Sequence, residues 1–126
     1  MIDFTNGVIF KLSPVNNQSS TYEDLKKVTV PGETVMVAFK TVHDGVGFTN
    51  KRIIAMDKKI GSGKIDYTSI PYRRINLYSM ITAGHFDIDS EIEVWVEEIG
   101  KMTFEFSRGS KVLQIYRLIS AGALSL

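Results

Sequence analysis

FTNKRIIAMDKKIGSGKIDYTSIPYRRI, running from Phe48 to Ile75, decides the fold. Two short apolar runs, Arg52 to Asp57 and Lys64 to Ile70, flank Gly61-Ser62-Gly63. Glycine takes the backbone conformations that a tight hairpin connection needs, so the two runs read as antiparallel neighbours. Pro71 has no amide hydrogen to give to a ladder, so a strand breaks or an edge begins at Ser69-Ile70-Pro71-Tyr72.

The same period of two extends in both directions. Upstream, Val35, Val37 and Phe39 alternate with Thr34, Met36, Ala38 and Lys40, which makes a strand with one apolar face. Asp44-Gly45 reads as a turn before Val46 to Thr49. Downstream, Ile75, Leu77 and Ile81 share one phase. Ile92, Val94 and Val96 oppose Glu91, Glu93, Trp95 and Glu97, and Met102, Phe104 and Phe106 follow Gly100. The period then changes. Val112, Ile115, Tyr116 and Ile119 fall at helical spacing, with Ser107 or Ser110 as the expected cap and Gly122 as the expected stop.

Before Pro31-Gly32 the pattern is weaker. Ile2, Phe4, Val8 and Phe10 are spaced by twos, a faint strand or extended-arm signal, and Pro14 to Ser20 is an uncharged polar linker. Thr21 to Val28 reads as a short helix capped by Thr21, with Tyr22, Leu25 and Val28 on its buried side. About seven short strands and one terminal amphipathic helix make a small antiparallel barrel or bent sandwich whose open end the helix plugs.

Composition narrows the function classes. At 126 residues one domain is expected, and the absence of cysteine removes disulfides, thiolate metal sites and a cysteine nucleophile. Absence of cysteine also fits a reducing, cytoplasmic setting. The start carries no basic region with a signal-length apolar run, and the longest apolar run, Val35 to Phe39, is far too short for a membrane span. Net charge is +1, but its distribution is uneven. Lys51, Arg52, Lys58, Lys59, Lys64, Arg73 and Arg74 outweigh Asp57 and Asp66 in the middle of the chain. Asp87, Asp89, Glu91, Glu93, Glu97, Glu98 and Glu105 outweigh Lys101 later. Such charges either pair across one solvated face or give the protomer two unlike sides that join head to tail.

Several words then combine: Pro31-Gly32-Glu33, Asp44-Gly45-Val46, Phe48-Thr49-Asn50-Lys51-Arg52-Ile53-Ile54, Ser69-Ile70-Pro71-Tyr72, and Thr82-Ala83-Gly84-His85-Phe86-Asp87. Together they resemble the bacterial pleckstrin-homology domain family, long catalogued as a domain of unknown function. The resemblance implies a mainly β, PH-like barrel of two bent antiparallel sheets, capped by the C-terminal helix. It assigns residues 30–126 to the domain and residues 1–29 to an N-terminal arm with a short helix. It also implies a homo-oligomeric, pentameric ring, and therefore a heterologous contact between unlike faces.

Trp95 lies by alternation on the glutamate face, and a large aromatic there is a candidate contact anchor. Met36, Tyr78 and Met80 fall on the outward phase of their strands, so they join Trp95, Glu91 and Glu93 as interface candidates, with Arg52 and Arg74 from the basic segment. An extended peptide pairing with a free sheet edge is a further partner class. A second function class is anion or acidic-headgroup binding by Lys51, Lys58, Lys59 and Lys64. The loop that carries bases in lipid-binding pleckstrin-homology domains here holds Lys40, His43 and Asp44, which argues against lipid. No aromatic platform interleaves with the bases, which argues against nucleic acid. Gly61-Ser62-Gly63-Lys64 lacks phosphate-loop spacing, and His43, His85, Asp87, Asp89 and Ser69 form no catalytic or metal pattern. The expectation is a non-catalytic module without cofactor.

Overall fold

In the computed structural model, residues 1–4, 7–82, 90–107 and 110–125 are described. The chain runs β1 (Val8–Val15), α1 (Ser20–Lys26), β2 (Val35–Lys40), β3 (Asp44–Thr49), β4 (Arg52–Lys58) and β5 (Ile65–Pro71). A single 3-10 turn, Tyr72–Arg74, leads into β6 (Ile75–Ile81), β7 (Ser90–Val96), β8 (Gly100–Phe106) and α2 (Val112–Ala123). The strands follow the order β5-β4-β3-β2-β1-β8-β7-β6. The architecture is the mainly β, helix-capped fold expected, with eight strands where the pattern indicated about seven.

The additional strand is β1, and it joins the two halves. Val8 to Leu12 pair in parallel with Met102 to Phe106, whereas Ser13 to Val15 pair antiparallel with Lys40 to Ala38. Leu12 is thereby placed in the main core at 2% exposure. The span from Pro14 was expected to be linker, yet β1 continues to Val15, and α1 is capped by Ser19, whose Oγ accepts from Tyr22 N at 3.1 Å, not by Thr21. β1 and α1 therefore pack on their own chain, and Ile2 N also donates to Thr68 Oγ1 at 3.3 Å.

Two apolar cores result. The larger lies between the sheet halves and is built on aromatics: Phe39 meets Phe106 at 5.2 Å and Phe48 meets Phe104 at 5.4 Å between ring centroids, both edge-on. Such contacts add about 0.5–1.5 kcal/mol each beyond the area they bury. Helix α2 closes this core with Val112, Ile115 and Ile119. Lys111 occupies its cap position without a side-chain bond, so neither Ser107 nor Ser110 serves as expected. The smaller core lies under α1, where Leu25 packs on Val35, Ala38, Ile54 and Met56. Both faces of β4 are thus covered, which explains why Ile53, Ile54, Ala55 and Met56 show no alternation.

Gly45 is a strand residue here, not the turn that Asp44-Gly45 suggested. Its missing side chain lets α1 approach. A Cβ at Gly45 would stand 2.7 Å from Thr21 Cγ2 and 2.9 Å from Met56 Cε, and one at Gly47 would stand 3.1 Å from Leu25 Cδ1. Gly45→Val should therefore lift α1 and lower the unfolding free energy by ~2 kcal/mol. Urea unfolding measures the loss, and faster amide exchange confined to Ser20–Lys26 would trace it to α1. Unchanged exchange there would show that Gly45 does not hold the helix.

Candidate interaction surface

Strand β6 ends the strand order, and its outer edge pairs with no described strand. Its solvent side carries Leu77 (62% exposed) and Ile81 (60%), and Trp95 (43%) on β7 lies directly opposite Leu77. Beyond Trp95 in the same row comes Lys101 of β8, whose Nζ sits 5.7 Å from the indole centroid. The next rows read Ser79, Glu93, Thr103 and then Ile81, Glu91, Glu105. This face is therefore apolar at the sheet edge and acidic behind it. Partial burial first, then the hydrogen bond and charge of Glu93 and the charge of Glu105, push the Glu91 carboxyl up from its ordinary range, with Lys101 opposing them.

Trp95 stands as expected on the glutamate side, and Met36 is exposed on β2 at 43%. Tyr78 and Met80 face the other way. The pairing of β6 with β7 slips between Ile75 and Leu77, and this bulge reverses the phase of the rest of the strand. Asn76 fixes the slip: its Oδ1 accepts from Glu97 N at 2.6 Å and its Nδ2 donates to Glu97 Oε2 at 3.3 Å. Tyr78 consequently turns in, its ring 5.3 Å from that of Tyr116 and its hydroxyl 3.0 Å from Ser120 Oγ. Met80 packs on the main core. Leu77 and Ile81, expected inside, take the outer positions. In INLYSMI both phases are apolar, so no alternation could have shown the reversal.

Arg52 is turned into its own chain. Its Nε and Nη2 each lie 2.9 Å from Glu33, Nη2 also reaches Val28 O at 2.7 Å, and Nη1 reaches Ser69 Oγ at 2.8 Å. Thr49 completes the cluster, donating to Glu33 Oε2 at 2.7 Å and accepting from the amides of Lys51 and Arg52, each at 2.9 Å. This guanidinium holds the α1–β2 connection to the β3–β4 turn. Arg74 is exposed beside Arg73 at a cleft that Asn76, Glu97, Glu98 and Ile99 also line.

The candidate anion contacts are interleaved with carboxylates. Lys58 pairs with Asp24 at 3.1 Å and Lys59 with Asp57 at 2.7 Å, while Lys51 and Lys64 are exposed on separate turns. Asp44 faces Asp57 across β3 and β4, and burial followed by that neighbour raises its pKa. Among the described residues no cluster of three or more His, Asp or Glu is arranged to hold a metal ion. His85, Asp87 and Asp89 lie outside the described residues. Among the described residues no helix is long and apolar enough to cross a membrane.

The sequence matches the family model of the Bacterial PH domain over residues 3–122. The chain belongs to this family. A bacterial PH-domain match of that extent takes in β1 and α1 as well as the strands that follow. YjqA of Bacillus subtilis, described as uncharacterized, is 34% identical over 121 residues, covering 94% of this chain and 96% of its own. Among solved structures, a DUF1696 family protein with a pleckstrin-homology domain from Shewanella loihica superposes with a TM-score of 0.70 at 29% identity, covering 94% of this chain and 99% of its own. A pleckstrin-homology domain from Shewanella amazonensis gives 0.58 at 35% identity, covering 82% and 85%. The expected resemblance and the PH-like fold are both borne out.

Proposed function

We propose that this bacterial PH domain is a non-catalytic assembly module of the cytoplasm, whose copies join head to tail in a pentameric ring. One observation carries the reading: Leu77 and Trp95 form an exposed apolar pair at a strand edge that no described strand covers, with exposed Ile81 further along the same edge beyond Ser79 and with Glu91 and Glu93 behind it. Proteins commonly blunt a free edge with charge, proline or a covering element. Here the edge is apolar instead, as a surface covered by a neighbouring chain would be. A ring needs two unlike faces, and this strip with its glutamates supplies one. Around an axis the ring presents any single binding surface several times, so weak contacts with a protein or peptide partner add as avidity. The pairing of Lys58 and Lys59 with carboxylates gives no support to an anion or lipid site there.

Light scattering tests the proposal. The wild-type chain should show a mass of several 14.1 kDa subunits, and Leu77→Glu combined with Trp95→Ala should reduce it to one. A wild-type monomer at both low and high salt would sink the assembly reading.

A further inference from the structure

The opposite side of the joint has a candidate of its own. Helix α2 buries Val112, Ile115 and Ile119, yet its other side also carries apolar residues, with Leu113 at 52% exposure. Met36 of β2, 43% exposed, stands across a cleft of about 320 Å³ from Leu113, Arg117, Leu118 and Ala121. Through Met36 this cleft continues into a second of about 370 Å³ that reaches Tyr22 and Lys111. Among the described residues, Arg117 and Lys111 are the charged ones lining the two clefts, and no acid lines either of them. The groove is thus apolar where Met36 faces α2, mixed toward Asn17 and Ser110, and basic at its rim.

Resting on the self-association proposed above, we infer that the β2–α2 groove of one copy receives the Leu77–Trp95 strip and its glutamates from the next copy. Neither surface suits itself. A two-fold contact of groove on groove would bring Arg117 toward its own copy, and a contact of strip on strip would bring Glu91 and Glu93 together. Like charges facing each other oppose association, whereas these two surfaces attract one another. Trp95 would lie against Met36, a thioether contact that suits an aromatic ring. Glu91 and Glu93 would meet Arg117 and Lys111 in charge-assisted bonds. The two surfaces are also separate on the protomer: α2 packs against the inner side of β6 through Tyr78 and Tyr116, while the strip is on the outer side. A contact between them therefore leaves each copy with one free face of each kind, as head-to-tail closure requires.

Charge exchange tests this pairing. Arg117→Glu and Glu93→Lys should each weaken self-association at least about tenfold in sedimentation, and the double variant should recover most of the loss. Arg117 is exposed and Glu93 partly exposed, and thermal unfolding checks that each variant still folds. If Arg117→Glu leaves the mass unchanged while Leu77→Glu with Trp95→Ala breaks the assembly, the joint exists and the groove is not its second half. If both single variants dissociate and the double variant does not recover, the two surfaces do not face each other. A wild-type monomer would overturn this inference together with the assembly reading.

Discussion

Glu33→Gln is expected to lower the unfolding free energy at neutral pH by about 3 kcal/mol, the loss that follows when one partner of a buried ion pair is removed. The Glu33 side chain is fully buried, with Arg52 21% exposed beside it. Its carboxylate accepts from two guanidinium nitrogens at 2.9 Å, from Thr49 Oγ1 at 2.7 Å and from Val30 N at 3.1 Å. A neutral amide of the same shape leaves no cavity but strands a cation and turns at least one donor against another. Burial by itself would raise the Glu33 pKa; the bonds from Arg52, Thr49 and Val30 outweigh it and hold it at about 2, against an ordinary 4.5. Because the folded value is depressed, the stabilisation is complete above pH 4.5 and is lost as pH falls toward 2. Urea unfolding at pH 7 and pH 3 separates this group from the other carboxylates: the gap between wild type and variant should narrow on acidification. An equal gap at both pH values would mean that Glu33 carries no linked proton. The double variant Glu33→Leu with Arg52→Met should be milder than Glu33→Gln, since no charge is then left alone.

This cluster also marks what the sequence could and could not disclose. Wherever one face of a strand meets the core and the other meets water, the alternation was legible, as in β7 and β8. The C-terminal helix was legible from its apolar spacing for the same reason. Glu33 and Arg52 stand 19 residues apart in the chain, and nothing local says that they meet. Arg52 therefore read as a free surface base. Strand β1 read faintly because its longer pairing is parallel to β8, at the far end of the chain, so no hairpin signal marks it. Asp44-Gly45 signals a turn because Asp-Gly is a strong turn pair, whereas the constraint on Gly45 is the approach of Thr21 from α1. At β6 a one-residue slip exchanged the two faces of the strand. That slip moved Leu77 and Ile81 into the candidate surface and moved Tyr78 and Met80 out of it. Trp95 needed no long-range information, because its flanking valines are buried by the plain alternation of β7.

Gly122→Val should destabilise the fold by about 3 kcal/mol, the upper part of the range for overpacking a filled core. Even Gly122→Ala should destabilise it. On helix propensity alone the alanine ought to gain up to about 1 kcal/mol, because glycine is a poor helix residue. Packing decides otherwise. A Cβ on Gly122 would stand 2.4 Å from Tyr72 Cβ, 2.5 Å from Cδ2 and 2.7 Å from Cγ. The first of these is next to the backbone and cannot swing away. The ring is equally fixed: Tyr72 is 1% exposed, and its hydroxyl donates to Thr49 O at 2.6 Å. Thr49 in turn belongs to the Glu33–Arg52 cluster, so the ring cannot retreat without disturbing that cluster. Helix α2 would have to lift instead, loosening Ile115 and Ile119 from the main core. The expected stop at Gly122 is thus better explained as a contact glycine, since α2 passes through it to Ala123. Thermal and urea unfolding of Gly122→Ala, Tyr72→Ala and the pair together decide the matter. Steric conflict predicts that the alanine at position 122 costs stability beside Tyr72 and ceases to cost it once the ring is removed. A neutral or stabilising Gly122→Ala in the wild-type background would show that helix propensity, not the Tyr72 contact, governs this end of α2.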